Sequence, residues 1–181
     1  CSGLVGSEMC IRDRIEGSPK VSMVDIDALY EQRIKTLYSA ITAYISQAQA
    51  QAAEHFGEEL YQLRMASLNI VEAVKDIKHL QKNLVRYTQS PNAAIQGQYN
   101  RLRIQLASVL HELAQIQSES SGGVSPLSLD AVKLAIEEDD VIANGELDRL
   151  IRDDEISAEM ATSLMNDSAY AYDVADNLIR M

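Results

Sequence analysis

Glu72 and Asp76 stand four residues apart in the run Glu72-Ala-Val-Lys-Asp76. On a helix that spacing puts both carboxylates on one face. There they can hold a hard cation through oxygen while water completes its shell. Glu and Asp at this spacing are also ordinary on solvated helices, so the pair has a plain reading beside the chemical one. Lys75, Lys78, Lys82 and Arg86 gather on another flank of the same segment. They suit an anionic partner, either phosphate or an inner-leaflet surface, or they pair with acids of neighbouring helices. Asp140, Asp167 and Asp173 fall near the seams of the C-terminal segments, with Tyr170 and Tyr172 beside them. Acids so placed are costly unless paired, hydrated or ligated. Pairing with lysines or arginines of the preceding helices is the structural expectation, with the tyrosines as further donors.

Catalytic chemistry finds little footing. The sequence has no G-x-S-x-G, no G-x-x-x-x-G-K-[ST] and no H-E-x-x-H. His55, His79 and His111 fall on different helices or junctions, and only Asp76-Ile-Lys-His79 approximates the Glu-x-x-His element of a carboxylate-bridged di-iron bundle. The expectation is a protein that is not an enzyme.

The elements that must position these residues are helical. Glycine and proline are scarce (8 and 3), Trp is absent, and Ala, Leu, Ile, Gln and Glu dominate the 181 residues. The net charge of −11 argues against nucleic acid as a partner. No run approaches the roughly 18–20 apolar residues of a membrane span.

A first helix is expected from Val24 or Asp25 to about Ala53, on the row Tyr30, Ile34, Leu37, Ile41, Tyr44 or Ile45, and Ala48. The central helix, from Glu54 to Ser90, carries the stripe Leu60, Leu63, Ile70, Val74, Ile77 and Leu84, and stops at Ser90-Pro91-Asn92. A third runs from Asn92 to Gln117 on Ile95, Tyr99, Leu102, Leu106, Val109 or Leu110, Leu113 and Ile116. Past a Ser/Gly/Pro linker at 118–127, Ser128 or Asp130 caps a fourth helix reaching Asp153, on Val132, Ile136, Asp139 or Asp140, Ala143, Leu147 and Leu150. Ser157 then caps a last helix on Met160 or Ala161, Leu164, Ser168, Ala171, Ala175 and Leu178. Small residues on that seam imply close approach of a neighbour. The expected fold is all-α: an elongated antiparallel bundle of about five helices, a three-helix block at 15–117 and a C-terminal pair at 128–181.

Residues 1–14, CSGLVGSEMCIRDR, show neither a helical or strand period nor a signal-peptide core. Within them SEMCIRDR resembles translated sequencing-adapter read-through, so this segment is expected to be non-native. Both cysteines, Cys1 and Cys10, lie in it. The native part is therefore expected to hold no disulfide and no thiolate metal site.

The segments ELYQLRMASLNIVEAVKDIKHLQKNLVRY and LIRDDEISAEMATSLMNDSAYAYDVADNLIRM resemble the C-terminal, PhoU-like part of bacterial sodium/phosphate cotransporter family proteins. The resemblance covers roughly residues 25–181. PhoU-like domains carry a Glu/Asp-x-x-x-Asp signature implicated in binding metal clusters. Glu72-Ala-Val-Lys-Asp76 matches it in full, whereas Asp173-Val-Ala-Asp-Asn177 matches only the second half, because Ala169 stands four before Asp173. The resemblance implies metal at Glu72, Asp76 and Asp173, with a divalent or iron-type ion as the cofactor. It implies a regulatory domain at the cytoplasmic face of the bacterial inner membrane. Its partner would be the membrane half of its own transporter, which is not in this chain, and a homodimer is a second option. The alternatives are a structural or dimerisation bundle and a stand-alone metal-binding carboxylate bundle.

Overall fold

The computed structural model describes residues 13–15, 23–51, 56–118 and 127–181. Helix α1, Ile26–Leu29, starts where the Asp25 carboxylate accepts the Ala28 N–H at 2.9 Å. It runs through a π-helical turn, Tyr30–Ile34, into α2, Lys35–Gln51. Helix α3 spans Gly57–Thr88 and α4 spans Ala93–Ser118. Helices α5, Leu127–Glu138, α6, Glu146–Arg152, and α7, Ala158–Ile179, complete the bundle. The all-α expectation holds: the described residues contain no strand. The expected segment 1–14, apart from its last two residues, lies outside the described residues, as do linker residues 119–126 and the 52–55 junction.

Local signals set the helix ends. Pro91 prevents α3 from continuing, and the Asn92 side chain opens α4 by accepting the Ile95 N–H at 3.0 Å. The Asn92 amide also donates to the Glu155 carbonyl at 2.7 Å, tying this corner to the α6–α7 turn. Ser157 caps α7 by accepting the Met160 N–H at 3.2 Å.

The expected fourth helix does not run unbroken to Asp153. It stops at Glu138 and resumes as α6. Asp140 accepts the N–H groups of Ile142 (3.0 Å) and Ala143 (2.7 Å), offering the backbone a turn in place of helical bonds. Gly145 then sits at φ +75°, a left-handed conformation glycine adopts without a Cβ penalty. Ser128 and Asp130 lie inside α5, which begins at Leu127, and so do not stand at its cap.

The core joins Leu80 and Tyr87 of α3, Ile95, Tyr99 and Leu102 of α4, and Leu147, Leu150, Leu164 and Ala171 from the C-terminal elements. A second cluster, Val109, Val132, Ile136 and Ala175, closes α5 against α4 and α7. The α7 seam buries Ala161, Leu164, Ser168, Ala171 and Ala175, as its spacing predicts.

On α3 the expected stripe is met only in part: Leu84 packs against the core and Leu60 and Val74 are half-buried. Leu63, Ile70 and Ile77 are exposed, while Ala73, Leu80 and Tyr87 are buried. The core row is the parallel seven-residue row three positions along, about one helical ridge over. Ala73 is buried in that row, which a count of large aliphatics does not register. In the same way Ile45 is buried in α2 while Leu37 and Tyr44 are exposed, and Val109 is buried in α4 while Leu110 is exposed.

Candidate functional site

Helices α3 and α7 form the most extensive contact of the bundle, and they run antiparallel. At one end the Asn69 amide donates to the Arg180 carbonyl at 3.3 Å. At the other, Arg86 pairs with Glu159 at 2.8 Å. Between these ends the interface carries a polar edge, built one helical turn at a time.

Asp76 and Asp173 come first. Burial, then the charge of Asp173 and then that of Glu72, push the Asp76 carboxyl above the usual aspartate range. The charge of Asp173 on α7 thus acts on the Glu72–Asp76 edge of α3. Glu72 is nonetheless held by Lys75 at 2.7 Å. Among the described residues no three His, Cys, Asp or Glu side chains converge as a ligand set. A cation here would draw on Asp76 and Asp173 and take most of its shell from water.

One turn along, His79 of α3 stacks on Tyr170 of α7, with ring centroids 5.0 Å apart and planes 16° from parallel. Beyond that stack lies an open cleft of about 410 Å³, lined among others by Asn83, Ser163, Asn166 and Asp167. Asp167 forms its floor and is 2% exposed. The buried Tyr99 hydroxyl of α4 donates to its Oδ2, and the Asn83 amide of α3 bonds the same carboxylate. Burial raises the Asp167 carboxyl, and the two bonds pull it part of the way back. Burial, with the Asp167 acceptor next, drives the Tyr99 phenol far above its ordinary value. Tyr99 also packs on Tyr87 at 4.8 Å between ring centroids, and the Tyr87 hydroxyl donates to Ser163 at 3.4 Å. One carboxylate therefore ties α3, α4 and α7 together.

This corrects the expected pairing of the C-terminal acids with lysines or arginines. Asp167 takes a tyrosine and an asparagine as partners, and Asp140 takes the Ser168 hydroxyl at 3.3 Å together with backbone N–H groups. Nor do the flanking tyrosines supply Asp167: Tyr172 donates to Glu137 at 3.0 Å and Tyr170 stacks on His79. Tyr99 and Asn83 escape sequence reasoning because one reads as a core position and the other as a polar surface residue. The usable signal was Tyr99 in an apolar row with an acid waiting in another helix, since a buried phenol needs an acceptor.

The basic flank is largely occupied. Lys75 pairs with Glu72, Lys78 with Asp27 of α1, and Arg86 with Glu159 while lying over the Tyr87 ring at 4.9 Å. Lys82 is exposed and forms no ion pair among the described residues. His111 contacts Gln115 at 3.0 Å, and His55 lies outside the described residues. No helix of the described residues is long and apolar enough to cross a membrane. Set against protein-family profiles, curated proteins and solved structures, the chain matches none of them.

Proposed function

We propose that this chain is a PhoU-like regulatory module of a sodium-dependent inorganic phosphate transporter. It would act at the cytoplasmic face of a bacterial inner membrane, through contact with the transporter's membrane half and without catalysing a reaction. Sequence resemblance over residues 25–181 supports the family, and the all-α architecture agrees with it. What supports the regulatory reading is that the half-buried Asp76 of α3 feels the charge of Asp173 on α7, the helix that makes its main contact. Like charges here leave the main helix contact sensitive to whatever neutralises them.

The sign follows from linkage. Asp76 is raised in the folded state, so its contribution to stability is complete below the ordinary aspartate value and is lost as pH rises through its folded value. At neutral pH a divalent or iron-type cation bound between the two carboxylates would restore what ionisation removes. Cation status would thereby set how firmly α3 and α7 hold together.

Thermal unfolding at neutral pH, with and without Mg²⁺, Mn²⁺ or Fe²⁺, tests the cation step. The parent's midpoint should rise with cation, whereas Asp76→Asn should start higher and stay where it is. Equal responses from the two proteins would leave a structural helical module as the reading. The transporter role is tested separately, by sodium-driven phosphate uptake through the co-expressed membrane half with and without residues 25–181. Uptake and its regulation unchanged by the module would refute it.

A further inference from the structure

Helices α2 and α3 pair as an antiparallel hairpin, and each leaves a row of large apolar side chains in solvent at seven-residue spacing. On α2 these are Leu37 (62% exposed) and Tyr44 (71%); on α3 they are Leu63 (58%), Ile70 (43%) and Ile77 (37%). A groove of about 520 Å³ joins the rows, with Ile41 and Tyr44 on one wall and Leu60, Leu63 and Ile70 on the other. We infer that this face is where two copies of the chain meet, hairpin against hairpin, as the two halves of a four-helix bundle.

Three observations select a second copy. A seven-residue apolar repeat on both helices is the seam that packs knobs into the holes of other helices. A two-helix face that repeats in this way is self-complementary under a two-fold axis. The charge distribution points the same way. The chain carries a net charge of −11, so two copies repel over most of their surfaces. Residues Thr36 to Gln51 carry no charge at all, and between Gly57 and Ile70 only Glu58, Glu59 and Arg64 are charged. Arg64 is turned towards α2, donating to Ser46 (3.2 Å) and Gln49 (3.0 Å). Lys75 and Lys78, which stand on either side of Ile77, are held by Glu72 and Asp27. The stretch around Leu63 and Ile70 is therefore not flanked by the lysine and arginine that dock a face on an anionic membrane. The size is also adequate. A hairpin about 30 Å long and about 20 Å wide covers about 600 Å² per copy, and about 1,200 Å² in all reaches the range of specific dimers.

Sedimentation velocity of the full chain over a concentration series tests this. The parent should dimerise in the micromolar range. Ile70→Glu and, independently, Leu63→Lys should weaken the dimer at least about tenfold. Both positions are exposed in the monomer, so far-UV circular dichroism should be unchanged. Leu134→Glu, on the exposed face of α5, should leave the dimer as it is. A parent that stays monomeric throughout, a dimer indifferent to both hairpin variants, or one weakened equally by Leu134→Glu would each overturn the inference. So would a monomer that co-sediments with anionic lipid vesicles through Ile70, which would assign the face to a membrane surface.

Discussion

Replacing Tyr99 with phenylalanine removes one oxygen from the centre of the protein and leaves the ring in place. Its consequences can be worked through from the geometry. Tyr99 is 0% exposed, so water cannot take the place of its hydroxyl without opening the core, although Asp167 (2% exposed) borders the cleft on its other side. The Tyr87 stack is retained and no cavity larger than a hydroxyl results. The cost is therefore that of depriving a buried carboxylate of one of its two donors, about 1.5–3 kcal/mol when the acid is ionised. For a chain of this size that lowers the thermal midpoint by about 3–12 °C.

The cost depends on pH. Asp167 is raised in the folded state by burial, so its stabilising contribution is complete below about 3.8 and is lost as pH rises through the folded value. Tyr99 holds that value down; without it the folded value climbs further and the loss with rising pH grows. Parent and variant should thus diverge at neutral pH and converge in acid, where a protonated Asp167 becomes a donor itself. Urea unfolding followed by circular dichroism from about pH 3.5 to about pH 7.5 reads the difference directly. Asp167→Asn should flatten the pH dependence and reduce the cost of Tyr99→Phe in a double-mutant cycle. A neutral-pH loss under about 0.5 kcal/mol, or one of the same size at both ends of the range, would refute the reasoning.

Asp176 gives the opposite pH behaviour. Burial pushes its carboxyl up, but Lys133 and Arg180, each at 2.8 Å, together outweigh that and hold it below the usual range. Its contribution is present above about 3.8 and disappears as pH falls through the folded value. Asp176→Asn should cost about 1 kcal/mol at neutral pH and nothing in strong acid, read from urea midpoints at the two conditions. Gly145→Ala meets no atom within 4 Å of the added Cβ, so its cost is the left-handed backbone alone, about 1 kcal/mol. A midpoint unchanged by that substitution would mean that the α5–α6 turn does not require φ +75°.

Much of this fold is local information. Asp25, Asn92 and Ser157 cap their helices because each side-chain oxygen reaches an N–H three residues on. Pro91 ends α3 for reasons contained in its own ring and its neighbour. The small residues of the last helix mark its buried face, while the larger Met165 on another face stays exposed. The break after Glu138 was written at Asp140 and Gly145, but an apolar period can be read straight across a turn when the residues on either side keep the phase.

Other features belong to the assembled bundle. Helix α3 carries two parallel seven-residue rows, and nothing within it says which one is to be buried. That is decided by where α4 and α7 lie, and Leu80 and Tyr87 join the core with them while Leu63, Ile70 and Ile77 stay exposed. The partners of Asp167 are likewise set by distance in space, since Asn83 and Tyr99 come from two other helices. Asp76 and Asp173 are nearly a hundred residues apart, and only the antiparallel register of α3 and α7 brings their charges together. Periodicity fixes how a helix turns along its own axis. It carries no information about the neighbour that the turning side chains will meet.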